Sequence, residues 1–168
     1  LPCWATHATM APITTSSTRK IIACAIKLDE YLAKYGANAP DPYVDSLDVL
    51  VERFCMDMED ETDAGFICAE MRNPHLDREL RRAWDDVCVR GAGSVGPSEL
   101  EEKIVHLTLK NKKPNVAGMQ LADLVATAVG RSVIAKPAHG NEVSRDVVMR
   151  KIRRVAGVYE GHGLVVRP

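Results

Sequence analysis

The chain has 168 residues, 46% of them apolar and 27% charged, with a formal net charge of −1. That excludes disordered, collagen-like and coiled-coil compositions and leaves enough chain for one core without metal or disulfide staples. No apolar run reaches the roughly eighteen residues that span a bilayer, and residues 1–20 lack the charged start and apolar centre of a signal peptide, so a soluble, cytoplasmic single domain over 1–168 is expected. Five cysteines, an odd number with no Cys-x-x-Cys pair, fit neither a disulfide framework nor a zinc site. Cys24, Cys55 and Cys68 read as small core hydrophobes in a reducing compartment.

The small net charge conceals an asymmetry. Residues 1–102 carry 10 Lys and Arg against 19 Asp and Glu, whereas residues 103–168 carry 12 against 4. A basic half beside an acidic half suits a polyanion partner next to a cation site, or charges scattered over a solvated exterior.

The first twenty residues, rich in Thr, Ser, Ala and Pro, read as irregular. The chain opens Leu-Pro-Cys-Trp, with no initiator Met and no acidic residue before Asp29, and reads as a fragment. Ile21 to Leu28 is a β-rich apolar run, predicted as a strand buried on both faces. Asp29 is the expected cap of a short helix ending at Tyr35 before Gly36. Leu47, Leu50, Val51, Phe54 and Met58 then mark one apolar helix face from Asp45 to about Asp60. Gly65 opens a second buried run, Phe66 to Ala69, ending at Glu70 and Arg72.

Pro74 begins a helix bearing Leu76, Leu80, Ala83, Trp84 and Val87, closed by the glycine-rich loop Gly91 to Gly96. Ser98 and Glu101 form a capping-box pattern before a third strand near Ile104 to Leu109. Gly118 to Ile134 is helical, with Leu121, Leu124, Val125, Ala128 and Val129 predicted inward and Gln120, Asp123, Thr127 and Arg131 outward. A last helix, Val143 to Val155, presents Arg145, Arg150, Lys151, Arg153 and Arg154 on its exposed face, before an extended segment from Gly161 to Pro168. Strands alternating with helices predict an α/β domain.

Several motifs fall away on context. Gly91-Ala-Gly93-Ser-Val-Gly96 matches G-x-G-x-x-G, but it follows a helix rather than a strand, and no acidic residue stands about twenty positions on, so a flexible loop is the better reading. The five histidines show no i, i+4 pair, and no nucleophile elbow is present. Asp41, Asp45, Asp57, Asp60 and Asp63 lack the glycine and spacing of a calcium loop and read as a solvated helix face.

Two carboxylates remain: Glu70, at a strand end, and Asp123, one helical turn after Gln120. Each alone suits a structural partner. Together they could serve Mg²⁺ or Mn²⁺, hard cations that prefer oxygen ligands and activate phosphodiester attack.

The stretch NVAGMQLADLVATAVGR, residues 115–131, resembles the closing Gly-Leu-Gln-Leu-Ala-Asp-Leu motif of a widespread bacterial and phage family catalogued as a domain of unknown function (number thirty-eight hundred). The tail MRKIRRVAGVYEGHGLVVRP resembles that family's last helix and Gly-x-Gly-Leu ending, and GFICAEMR its central strand with a terminal acidic residue. The resemblance implies a ribonuclease H-like mixed sheet flanked by helices, here lacking its first strand or strands, and a metal-dependent nuclease activity. Glu70 and Asp123 would then be metal carboxylates and Gln120 would orient water or a phosphate. Arg150, Lys151, Arg153 and Arg154 would hold nucleic-acid backbone without reading sequence. Family members carry an Asp-Glu pair on their first strand; here it is absent or upstream of Leu1. The competing reading is a non-catalytic protein- or nucleic-acid-binding protein of phage or mobile-element origin, in which Gln120 and Asp123 hold the fold.

Overall fold

The computed structural model describes residues 5–10, 20–58, 65–111, 117–134 and 143–168. They form an α/β arrangement in which helices flank two small sheets. The first sheet has the order β1-β2-β5, from β1 (Ala5–Met10), β2 (Ile21–Ile26) and β5 (Leu164–Arg167). β1 runs antiparallel to β2, and β5 runs parallel to it. The second sheet is the parallel pair β3 (Gly65–Glu70) and β4 (Ile104–Lys110). Part of the stretch read as irregular is thus a strand, and the expected single mixed sheet stands as two among the described residues.

β2 is buried on both faces, as an unbroken apolar run predicts. One face, Ile22, Cys24 and Ile26, joins α2 (Pro42–Asp57) through Val49, Leu50, Val51 and Phe54, together with Tyr31 of α1 (Leu28–Tyr35). The other face, Ala23 and Ala25, is small enough for close approach by α5 (Ala117–Val133) and α6 (Val143–Lys151), which contribute Val125, Ala128, Val129 and Val148. The first cluster extends to the second sheet through Ile67 and Ile104, and to α3 (Pro74–Arg90) and α4 (Pro97–Lys103) through Val87 and Leu100.

Helix ends show which local signals operate. Asp41 caps α2, its carboxylate accepting from the Tyr43 amide at 2.7 Å, and Asn73 caps α3 by accepting from His75 and Leu76, both at 3.0 Å. Each cap precedes a proline at the first helical position, where no amide hydrogen is needed. Asp29 sits inside the first turn of α1 rather than capping it, and favours the helix through the positive end of its dipole. The Ser98 and Glu101 capping box is not formed: Gly96 is the cap of α4, and Pro97 starts it.

Two predicted faces differ from what is observed. Leu121 and Leu124 are 38% and 63% exposed, since Val125, Ala128 and Val129 already fill the space beneath α5. β3 is not buried throughout but alternates, with Phe66 and Cys68 outward and Ile67 inward. Cys68 is therefore not a core residue, whereas Cys24 and Cys55 are.

The chain leaves α6 at Lys151, four residues before the predicted end, because Ile152 bridges to Ile21 and the Arg153 amide donates to the Ile21 carbonyl at 2.8 Å. A tight turn follows in which Val155 and Val158 exchange backbone hydrogen bonds, both at 3.0 Å, with Ala156 at φ 50° and Gly157 at φ 84°. Positive φ at both central positions suits Asn-Gly better than Ala-Gly. Ala156→Asn is accordingly expected to raise the unfolding midpoint in urea by an amount worth up to about 1 kcal/mol; an unchanged or lower midpoint would contradict this. No helix among the described residues is long and apolar enough to cross a membrane.

Candidate functional site

Glu70 is the last residue of β3, half-buried, and stands in register with Lys110 at the end of β4. It thus occupies the carboxyl end of a parallel strand pair, where α/β folds place their sites. Helix α5 lies alongside β3 and carries Gln120 and Asp123 in its first half, both exposed. The Asp123 carbonyl accepts from the Thr127 hydroxyl at 3.1 Å, an ordinary intrahelical bond. Strand β3 and helix α5 are therefore neighbours in the fold. Among the described residues, no three His, Cys, Asp or Glu side chains come together as a metal-ligating group. The donors at hand are two carboxylates and one amide oxygen. That chemistry suits a hard divalent cation that keeps much of its own water shell.

The basic residues separate into two kinds. Arg150 and Lys151 are exposed at the end of α6. Arg154 is exposed as well, but its guanidinium donates to the Gly157 carbonyl at 3.0 Å and lies 4.8 Å from the Tyr159 ring centroid. Arg153 does not lie on the exposed face where helical spacing put it. It is 9% exposed and donates from Nε to Asp57 at 2.8 Å, with further bonds to the Met56 and His162 carbonyls. The Lys20 ammonium reaches the same Asp57 oxygen at 2.9 Å. The reversal follows from the early end of α6: once helical geometry stops at Lys151, the next arginine turns inward.

The acidic stretch also changes character. Asp57 is the buried centre of that cation pair, Asp41 is a helix cap, and Asp45 pairs with Arg167 at 3.4 Å. Only the solvated helix face is overturned by this; Asp60 and Asp63 lie outside the described residues. Sequence spacing could not reveal the Asp57 and Asp45 pairings, because Arg153 and Arg167 are distant in the chain.

The glycine-rich loop is ordered by a carboxylate. Ala92 and Val95 exchange backbone bonds, both at 2.9 Å, and Glu52 of α2 accepts from the Ser94 amide at 2.8 Å and its hydroxyl at 2.9 Å. A Cβ on Gly93 would collide with that carboxylate. The amide a phosphate would need is therefore already engaged, consistent with rejecting the dinucleotide reading. Of the histidines, His75 and His106 are exposed and His162 is half-buried, while His139 lies outside the described residues.

Burial pushes the Cys24 thiol up to about 12, with the Asp45 charge adding to it, and burial likewise raises Cys55 to about 11. A raised folded value means protonated thiols stabilise the fold below the unfolded value of about 8.5, and that stabilisation is lost as pH climbs toward 11 to 12. At mildly alkaline pH, iodoacetamide is expected to modify Cys68 in the native protein, with Cys24 and Cys55 modified only after unfolding. Peptide mapping that finds Cys24 alkylated as fast as Cys68 would contradict this.

Comparison with protein-family models, curated proteins and solved structures gives no match to this chain.

Proposed function

We propose that this chain is a nuclease-like protein of ribonuclease H type, binding nucleic-acid phosphodiesters through Mg²⁺ or Mn²⁺ at Glu70 and Asp123. The observation that supports this reading is the placement of Glu70 at the carboxyl end of the parallel β3/β4 pair, beside the helix that bears Gln120 and Asp123. Bound there, the cation would polarise a phosphoryl oxygen. The two carboxylates supply its charge complement, and the Gln120 amide orients a phosphate or water. Arg150, Lys151 and Arg154 hold the backbone electrostatically, without reading sequence.

Titration of Mn²⁺ followed by the paramagnetic resonance of the free ion tests the centre. Loss of an outer-sphere partner alone weakens metal sites about 10- to 100-fold, so Asp123→Asn and Glu70→Gln should each weaken binding at least that much while unfolding stays cooperative. A large fall in stability with metal binding unaltered would make Asp123 a structural partner instead. Independent effects of the two changes in a double-mutant cycle would argue against a shared ion.

The non-catalytic reading has one observation in its favour: no three His, Cys, Asp or Glu side chains gather as a metal-ligating group among the described residues. Phosphoryl chemistry asks more of a weakly held Mg²⁺ than two carboxylates provide. Metal-dependent cleavage of DNA or RNA by residues 1–168 is therefore expected to stay at the level of a catalytically blank control.

A further inference from the structure

Apart from Glu70, the outward face of the β3/β4 pair carries side chains that the proposed metal centre does not use. In parallel register, Phe66 stands opposite His106, Cys68 opposite Thr108 and Glu70 opposite Lys110. Residues two apart share a face, so these six form one surface. Phe66 is 61% exposed, an unusual state for a phenylalanine in the middle of a strand. Its ring meets His106 edge-on, with centroids 5.2 Å apart and planes at 79°.

A register shift between Gly65 and Phe66 skips one residue of β4 and brings His106, rather than Val105, opposite Phe66. Irregularities of this kind re-aim side chains and are frequent beside functional sites. In the strand register, the small side chains of Cys68 and Thr108 lie between the aromatic pair and the Glu70 end. Phe66, Cys68, His106 and Lys110 are exposed and Thr108 and Glu70 half-buried, so the face has rings at one end and a carboxylate and an ammonium at the other.

We propose that this face is a stacking platform for single-stranded nucleic acid, on which Phe66 and His106 take up unpaired bases while the sugar-phosphate chain runs toward Lys110. The substrate class rests on the function proposed above; the platform itself rests on the strand geometry. Base stacking on exposed sheet aromatics tolerates any sequence, because every base has a π-face. A protein partner needs a contiguous apolar core at its interface, whereas Phe66 is the one large apolar side chain among these six. The exposed Lys110 closes the surface with positive charge, and the excess of Lys and Arg over Asp and Glu from residue 103 onward favours a polyanion.

Fluorescence anisotropy with labelled oligothymidylate and oligouridylate, in chelator so that the metal centre plays no part, gives the primary test. Phe66→Ala removes a largely exposed ring, so the fold is expected to stay intact, and affinity should fall about ten- to hundredfold. His106→Ala should weaken binding in the same direction, and Phe66→Trp should retain it. Alkylation of Cys68, with the exposed Cys88 as internal reference, should slow when the oligonucleotide is present.

Absence of binding, affinity unchanged in Phe66→Ala, or Cys68 equally reactive with and without oligonucleotide would each overturn the platform. So would protection of Cys68 that rises with protein concentration alone, which would assign the face to a second copy of the chain. The Mn²⁺ titration is read separately, so loss of the metal centre and loss of the platform are distinguishable outcomes.

Discussion

Arg153→Met is expected to destabilise the protein by about 3–5 kcal/mol, because it leaves the Asp57 carboxylate buried without its main partner. The Asp57 side chain is only 6% exposed. The Met56 and His162 carbonyls lose a donor at the same time. Lys20 still reaches Asp57 with a side chain 38% exposed, and this remaining partner places the expected loss toward the lower end of the range. For a chain of this length the midpoint of thermal unfolding should fall by roughly 6–20 °C.

Arg153→Met combined with Asp57→Leu should recover part of the loss, since replacing both partners of a buried pair is far less costly than removing one. Strictly additive effects would show that the pair is not coupled. The same variant separates structure from binding. Neutralising Arg150, Lys151 and Arg154 together should reduce the salt slope of nucleic-acid affinity by about one for each phosphate these side chains neutralise, while Arg153→Met, where folded, should leave the slope unchanged.

Phe54→Ala should cost about 3–5 kcal/mol, the range for truncating a fully buried aromatic. Phe54 is 4% exposed and links α2 to the second sheet. Its ring lies over Gly65, where a Cβ would come within 2.6 Å of Phe54 Cε1 and 2.9 Å of Cζ. Gly65→Ala alone should therefore destabilise by about 1–3 kcal/mol through overpacking. In the double variant the new methyl enters the space the ring vacates, so the combined loss should be smaller than the two single losses together, as urea unfolding would report. Additive losses would place the strain elsewhere, for example against the Lys103 carbonyl at 3.2 Å.

How far such features can be anticipated depends on whether their cause is local. The apolar stripe Leu50, Val51, Phe54 and Met58 reports a periodicity that exists before folding, and those residues are buried as it predicts. Proline starts at Pro74 and the strand Ile104–Lys110 are legible for the same reason. Features set by distant partners are not. Asp57 looks like any acidic residue near a helix end until Arg153 meets it, and Cys68 looks like core until the open side of β3 exposes it.

Helical extrapolation also fails at Lys151, where a backbone bond to Ile21 outcompetes one more helical turn. Of the candidate site, the placement of Glu70 at a strand end is legible, as is the exposure of Gln120 and Asp123 on α5. The face shared by Phe66 and His106 depends on a register shift that no propensity encodes.

The pairing of β2 with β5 imposes an order of events on the folding chain. Residues 21–26 are made early, but their parallel partner, 164–167, is the last of the described strands to be synthesised. Until it emerges, β2 offers one unpaired edge to solvent, a template for wrong pairing. Closing so long an intervening segment adds only about 0.6 kcal/mol per doubling of its length, so the delay costs little at equilibrium. Its consequence is kinetic. Early chain must wait for late chain, and folding is governed by a non-local closure that is intrinsically slow and open to aggregation during synthesis.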